Sequence, residues 1–316
     1  MTISSASDPI ASPVVPSVEQ RSELVPGIAS LRAELEVLKA TNAMLQQRQA
    51  SLEEDLYAAR QLQQSLLPPI MDNDLLGGDY ISKMVLQRKK VQVTGFYLPC
   101  ESLSGDLYDV TEFTEGDFTN DPEHVPLGLM VADVAGHGVA AAFITAIYKA
   151  LYYRLIHTRH DPAEVLEALN NELCDVVKTG HYITTVYTRF DPETRLLTYA
   201  GGGHPHPIVY RHATQTLERL SENGCPLVWF AGQEYPQATI MLNPNDKVIF
   251  FTDGITEMRN TTEELFGEDR LDALILEASG SSGQEFLDHI ILALYDYSAG
   301  QEPNDDMCMA VLEVLG

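Results

Sequence analysis

An α+β fold, with antiparallel sheets layered against helices behind a long helical rod, is what this 316-residue sequence predicts. Three observations carry the prediction. Leucine recurs at heptad spacing from Leu31 to Leu66 and the pattern stops at Pro68-Pro69. Beyond it, apolar runs of strand length follow one another with few helices between, unlike a strict βαβ alternation. The 45% hydrophobic content is ample for a buried core, and the 247 residues after Pro69 are enough for one large domain.

Residues 1–28, rich in Ser, Pro and Ala and without periodicity, are expected to be a disordered leader. From 29 to 69 a coiled-coil helical linker is expected. With Leu31 as a d position, alternating steps of four and three reach Leu35, Leu38, Asn42, Leu45, Gln49, Leu52, Leu56, Ala59, Gln63 and Leu66. Leucine fills every d position but Ala59, which suits a two-stranded coil, and an Asn at an a position specifies register at some cost in stability. A homodimer through residues 31–66 follows. The alternative is a helix packed on its own domain. Pro68-Pro69 ends the helix, since neither proline offers an N–H and each restricts its predecessor.

Residues 70–316 form the globular domain. Val91–Leu98 and Leu127–Ala132 read as strands, and Val139–His157 as a long helix. Asp161-Pro162 opens a second helix over Ala163–Val177, because proline suits a first helical position. Tyr182–Phe190 and Leu196–Ala200 flank Asp191-Pro192-Glu193-Thr194, a hairpin turn. Ile208–Arg211, Lys247–Thr252 and Met307–Val314 complete the strands, and Glu285–Tyr297 has helical spacing.

The formal charge is −26, of which −23 falls after residue 69. Such acidity disfavours nucleic acid and anionic membrane as partners. Four scattered cysteines without a C-x-x-C pair argue for a reducing compartment, and Lys149 and Arg154 interrupt the longest apolar stretch. With no basic segment and apolar run at the N-terminus, a cytoplasmic location is expected.

Chemistry concentrates at four places where an apolar strand meets a glycine or turn. Asp106 lies in Ser104-Gly105-Asp106, and Asp133 follows Leu129-Met130-Val131-Ala132. Asp253 follows Phe250-Phe251-Thr252, and Asp305-Asp306 precede the final strand. A carboxylate at the end of a buried strand needs a partner, and no Lys or Arg neighbours these sites in sequence. Hard divalent cations such as Mg²⁺ and Mn²⁺ favour oxygen donors of this kind. His204-x-His206 has the spacing of a zinc pair, but Pro205 and Pro207 favour a loop. Gly77-Gly78-Asp79 lacks the Glu-Phe that would make it a cyclase signature.

Gly105-Asp106-Leu107-Tyr108-Asp109, Ala132-Asp133-Val134-Ala135-Gly136-His137-Gly138, Thr252-Asp253-Gly254-Ile255-Thr256-Glu257 and Asp305-Asp306-Met307 occur in this order. With Gln64-Ser65-Leu66-Leu67-Pro68 ahead of them, the chain from about Gln61 onward resembles the bacterial SpoIIE-type branch of the PPM metal-dependent serine/threonine protein phosphatases. The resemblance implies a four-layer α-β-β-α sandwich holding two Mn²⁺ or Mg²⁺ ions per domain. Carried over by position, it implies that Asp106 binds one metal and that Asp133 bridges both. It also implies that the Val134 carbonyl binds beside Asp106, and that Asp253 and Asp305 hold the other ion. Asp306 replaces Asp305 if the register shifts by one. The nucleophile would be water activated by the metals, with no catalytic side chain and no phospho-enzyme.

The implied function is removal of phosphate from phosphoserine or phosphothreonine on a partner protein, a STAS-type anti-sigma-factor antagonist in a partner-switching pathway. An inactive coiled-coil docking module and a hydrolase of small phosphate esters are the alternatives. Three positions depart from the family pattern: Ala135 where eukaryotic members have a His, Cys308 where Thr is frequent, and Gly203-His204-Pro205-His206-Pro207 in place of Gly-His-Asn-Pro-Pro.

Overall fold

The computed structural model describes residues 18–68, 82–113 and 125–316. In chain order the elements are α1 (Val18–Gln64), β1 (Ser82–Gln87), β2 (Val91–Leu98), β3 (Asp106–Glu112), β4 (Leu127–Val134), α2 (Gly138–Ile156) and α3 (Pro162–Val176). Then follow β5 (Ile183–Asp191), β6 (Leu196–Gly202), β7 (Ile208–Arg211), β8 (Thr216–Arg219), β9 (Gln237–Met241) and β10 (Lys247–Phe251). The last are α4 (Asp253–Thr256), α5 (Gly267–Ala278), α6 (Gly283–Ser298) and β11 (Met307–Val314).

Helix α1 is longer than the leucine repeat. It takes in residues 18–28 of the expected leader, because Glu19, Gln20, Arg21, Glu23 and Leu24 are straight-chain helix formers, whereas periodicity begins only at Leu31. Residues 1–17 lie outside the described residues, as does Gly77-Gly78-Asp79. The chain divides into two compact units after Asp55. In the first, Leu31, Leu38, Leu45 and Leu52 are all more than half exposed. In the second, the end of α1 is buried against its own domain: Gln63 exchanges hydrogen bonds with the Ser104 backbone (Nε2 to the carbonyl at 2.7 Å, N–H to Oε1 at 3.1 Å). The last heptad therefore follows the intramolecular alternative.

Two antiparallel sheets make up the rest, in the orders β1-β2-β11-β10-β7-β8 and β3-β4-β5-β6-β9. The alternation of side chains builds the layers. On β11, Cys308, Ala310 and Leu312 join the core shared with the second sheet, while Met307, Met309 and Val311 pack with α5 and α6. On β10, Val248 and Phe250 face the first core, and Ile249 and Phe251 the second. Burial on both faces explains why these strands read as unbroken apolar runs. Helices α2 and α3 cover the outer face of the second sheet, which gives the four-layer α-β-β-α order.

Helix α2 is long and apolar enough to span a bilayer, yet it buries Ala141, Ile144, Tyr148, Tyr152, Leu155 and Ile156 in the core. Lys149, which interrupts its apolar run, pairs with Asp109 of β3, both side chains being mostly buried. Strands β2, β7 and β11 coincide with their expected bounds. β8 and β9 escape the sequence pattern because they are edge strands with half-exposed polar residues, and β3 because it carries Asp106 and Asp109.

Candidate metal centre

Strand β3 begins and β4 ends at one edge of the second sheet, and their register sets Asp106 opposite Asp133. Opposed residues on neighbouring strands are about 4.5–5.5 Å apart at Cα, so these carboxylates repel. The Val134 N–H donates to the Gly105 carbonyl at 3.1 Å, and a Cβ added at Gly105 would lie 2.5 Å from the Val134 carbonyl oxygen. Glycine is therefore what permits the backbones to close here.

In the first sheet, β10 and β11 are paired, which brings the residue after β10 beside those before β11. Asp253 opens α4, and Asp305-Asp306 lead into β11. The sheets are tied through Thr252: its Oγ1 donates to Asp106 Oδ2 at 2.6 Å and accepts from the Cys308 N–H at 2.9 Å. Asp306 is a brace. Its two carboxylate oxygens accept the N–H groups of Cys100 and Gly105, each at 2.8 Å, and it is buried. Asp305 is exposed and accepts only the Asp306 N–H, at 2.8 Å, among the hydrogen bonds described.

All five expected positions, Asp106, Asp133, Val134, Asp253 and Asp305, stand at this junction. Loss of solvent raises the pKa of each of the four carboxyls first, Asp305 included although its side chain reaches water, and neighbouring carboxylates raise it further. Asp133 and Asp306 act on Asp106, which is held well above the carboxylate range, and Asp253, Asp305 and Asp306 act on Asp133, pushed up to about 7. Asp253 is raised as well, by Asp305 and Glu257, and Asp305 by Asp306 and Glu257, with His137 opposing at Asp305. Negative groups gathered with no Lys or Arg among their main influences fit hard divalent ions, and Cys100 Sγ stands within 4.8 Å of ligand atoms of Asp305 and Asp306.

Two features were not legible as functional from the motifs: Thr252 as anchor of Asp106, and Asp306 as brace for the Cys100 and Gly105 backbone. Only the carboxylate types were visible. Ser104 adds a third support, its Oγ accepting the Asp106 N–H at 3.0 Å. His204 and His206 do not converge. His204 Nδ1 meets Thr184 Oγ1 and His206 Nδ1 meets the Leu220 carbonyl, each at 2.9 Å, while burial lowers His204 to about 3. His137 lies at the rim, 3.2 Å from Glu101.

A family model described as Stage II sporulation protein E (SpoIIE) matches residues 124–315. The chain is 29% identical to phosphoserine phosphatase RsbU of Bacillus subtilis (strain 168), over 72% of this chain and 64% of that protein. It is 24% identical to phosphoserine phosphatase RsbP of the same strain, over 85% of this chain and 60% of that one. The chain thus spans somewhat under two thirds of the length of these curated relatives. Among solved structures, the SiaA-PP2C domain of Pseudomonas aeruginosa superposes with a TM-score of 0.65 at 18% identity, covering 84% of this chain and 98% of that domain.

Proposed function

The chain belongs to the SpoIIE family, and from that premise we propose that it is a divalent-metal-dependent phosphatase acting on phosphoserine or phosphothreonine in a protein. The observation that carries this reading is the meeting of Asp106, Asp133, Asp253 and Asp305 at the joined ends of two sheets, mutually repelling and rich in carboxylate oxygen. Asp106, Asp133 and the Val134 carbonyl would hold one ion, and Asp133, Asp253 and Asp305 a second. Bound there, Mn²⁺ or Mg²⁺ would polarise the phosphoryl oxygens and lower the pKa of a water aimed at phosphorus.

The chain's own residues prepare the site. Thr252 fixes one Asp106 oxygen. The Asp306 brace holds the Cys100 and Gly105 loops at a set distance from β11, so the donors are positioned before any ion arrives. No side chain here is assigned proton transfer: Ala135 follows the loop from Asp133, and His137 is turned to Glu101 on the rim.

The substrate class we favour is a phosphorylated STAS-type antagonist of an anti-sigma factor, in a cytoplasmic partner-switching pathway. Its support is the likeness to RsbU and RsbP. A homodimer through α1 completes the proposal, supported by the leucines exposed along it, since a lone helix gains nothing by showing such a stripe to water. One preparation tests both parts. Purified protein is expected to sediment as a dimer and to release phosphate from a serine-phosphorylated STAS-domain protein with Mn²⁺ but not with EDTA. A monomer refutes the coil, and release insensitive to EDTA, or none with either metal, refutes the phosphatase.

A further inference from the structure

Trp229, the single tryptophan of the chain, is 52% exposed and stands between Tyr182 and Phe230, which are 37% and 63% exposed. The Trp229 ring meets Tyr182 edge-on at 5.6 Å between centroids and Phe230 at 6.4 Å. The loop that carries Trp229 and Phe230, between β8 and β9, is firmly built. Val228 has φ +76°, a left-handed conformation that a β-branched side chain resists and that persists only where the surroundings enforce it. Asn170 of α3 is the enforcer. Fully buried, it accepts the Val228 N–H at Oδ1 and donates from Nδ2 to the Phe230 carbonyl, both at 2.8 Å. Asn171 Oδ1 accepts the Gly232 N–H at 2.7 Å. A buried amide thus grips the chain on either side of Trp229, and strain is held in place to keep aromatic rings in water.

The backbone that carries those rings adjoins the loop after Asp133. The Ala135 N–H, two residues past Asp133, donates to the Tyr182 carbonyl at 2.9 Å. Ile183 and Leu227 exchange backbone hydrogen bonds at 3.2 and 2.8 Å. Tyr182-Ile183 is therefore flanked by the Asp133 loop on one side and by Leu227–Phe230 on the other, two inter-strand steps or about 10 Å in all. A standard protein interface covers about 800 Å² on each partner, a disc of about 16 Å radius. A folded protein that delivers a phosphate to this centre and docks on the side where the rings are exposed would cover them as well.

We propose that Tyr182, Trp229 and Phe230 form the docking platform for the phosphoprotein substrate, a folded partner that presents apolar side chains beside its phosphorylated residue. This rests on the phosphatase reading above. Charge supports it: bound metal attracts the phosphate, but the rest of the partner meets a domain of strongly negative charge, so apolar contact supplies the hold. Tyr and Trp are the side chains that carry such contacts at low entropic cost.

Trp229→Ala and, separately, Phe230→Ala test the platform with Mn²⁺ and two substrates, a serine-phosphorylated STAS-domain protein and p-nitrophenyl phosphate. The kcat/KM for the phosphoprotein is expected to fall about 10- to 30-fold through KM, with the small ester within about twofold and Trp229→Phe restoring most of the loss. Titrating the phosphoprotein into unmutated protein in EDTA is expected to shift Trp229 fluorescence. Phosphoprotein kinetics unchanged in both variants overturn the platform. So does an equal loss on both substrates, and so does an unmutated enzyme that hydrolyses the ester alone. Failure of the unmutated protein on both substrates is a different result, and it removes the phosphatase reading and the platform with it.

Discussion

Asp133→Asn is expected to lower kcat for phosphate release by about 10³-fold or more, since the change removes the one carboxylate shared by both proposed ion positions. The same substitution is expected to stabilise the metal-free protein. Asp133 is pushed up to about 7 by burial and by Asp253, Asp305 and Asp306, whereas an unfolded aspartate titrates near 3.9. The folded chain therefore binds that proton more tightly than the unfolded one. Its contribution to stability is greatest below about pH 4, falls as pH rises toward 7, and the full penalty stands above 7. Asparagine carries no such penalty. Melting curves without metal should show the variant above the parent at pH 8, with the gap closing toward pH 5. A variant that melts lower at pH 8 and keeps its activity contradicts both the crowding and the role.

Gly254→Ala carries the largest expected structural effect. A Cβ at this position would lie 2.0 Å from the Asp306 carbonyl oxygen, far inside contact distance and against backbone that cannot swing aside. Relief requires α4 to part from the start of β11, which separates Asp253 from Asp305 and strains the Asp306 bonds to Cys100 and Gly105. We expect a loss of about 3 kcal/mol or more, at the upper end for overpacking. For a domain of this size that is a fall in Tm of about 6–12 °C. Gly280→Ala is the control: nothing lies within 4 Å of its added Cβ, and its effect should stay within about 0.5 kcal/mol. Equal melting of the two variants would contradict the close approach.

Strands buried on both faces were legible because apolar residues dominate them: β2, β7 and β11 declare themselves by apolar stretches of strand length. The four aspartates were legible too, since each interrupts such a run at a turn. What the letters do not carry is which group turns where. Asp305 and Asp306 are the same residue type side by side, and only the hydrogen bonds from Cys100 and Gly105 make one of them a brace. Gln63 fits a heptad as well as it fits a bond to Ser104, and tertiary packing decides. Trp229 and Phe230 read as core residues in any hydrophobicity pattern. Their exposure depends on a φ at Val228 and a buried amide 58 residues away in the chain, neither of which has a local signal.

The number of ions that the carboxylate cluster holds decides most directly whether it is a metal centre. Titration calorimetry of Mn²⁺ into metal-free protein at pH 8 is expected to give two ions per chain, and fewer in Asp253→Ala. Absence of binding, or a stoichiometry that Asp253→Ala leaves unchanged, would contradict it.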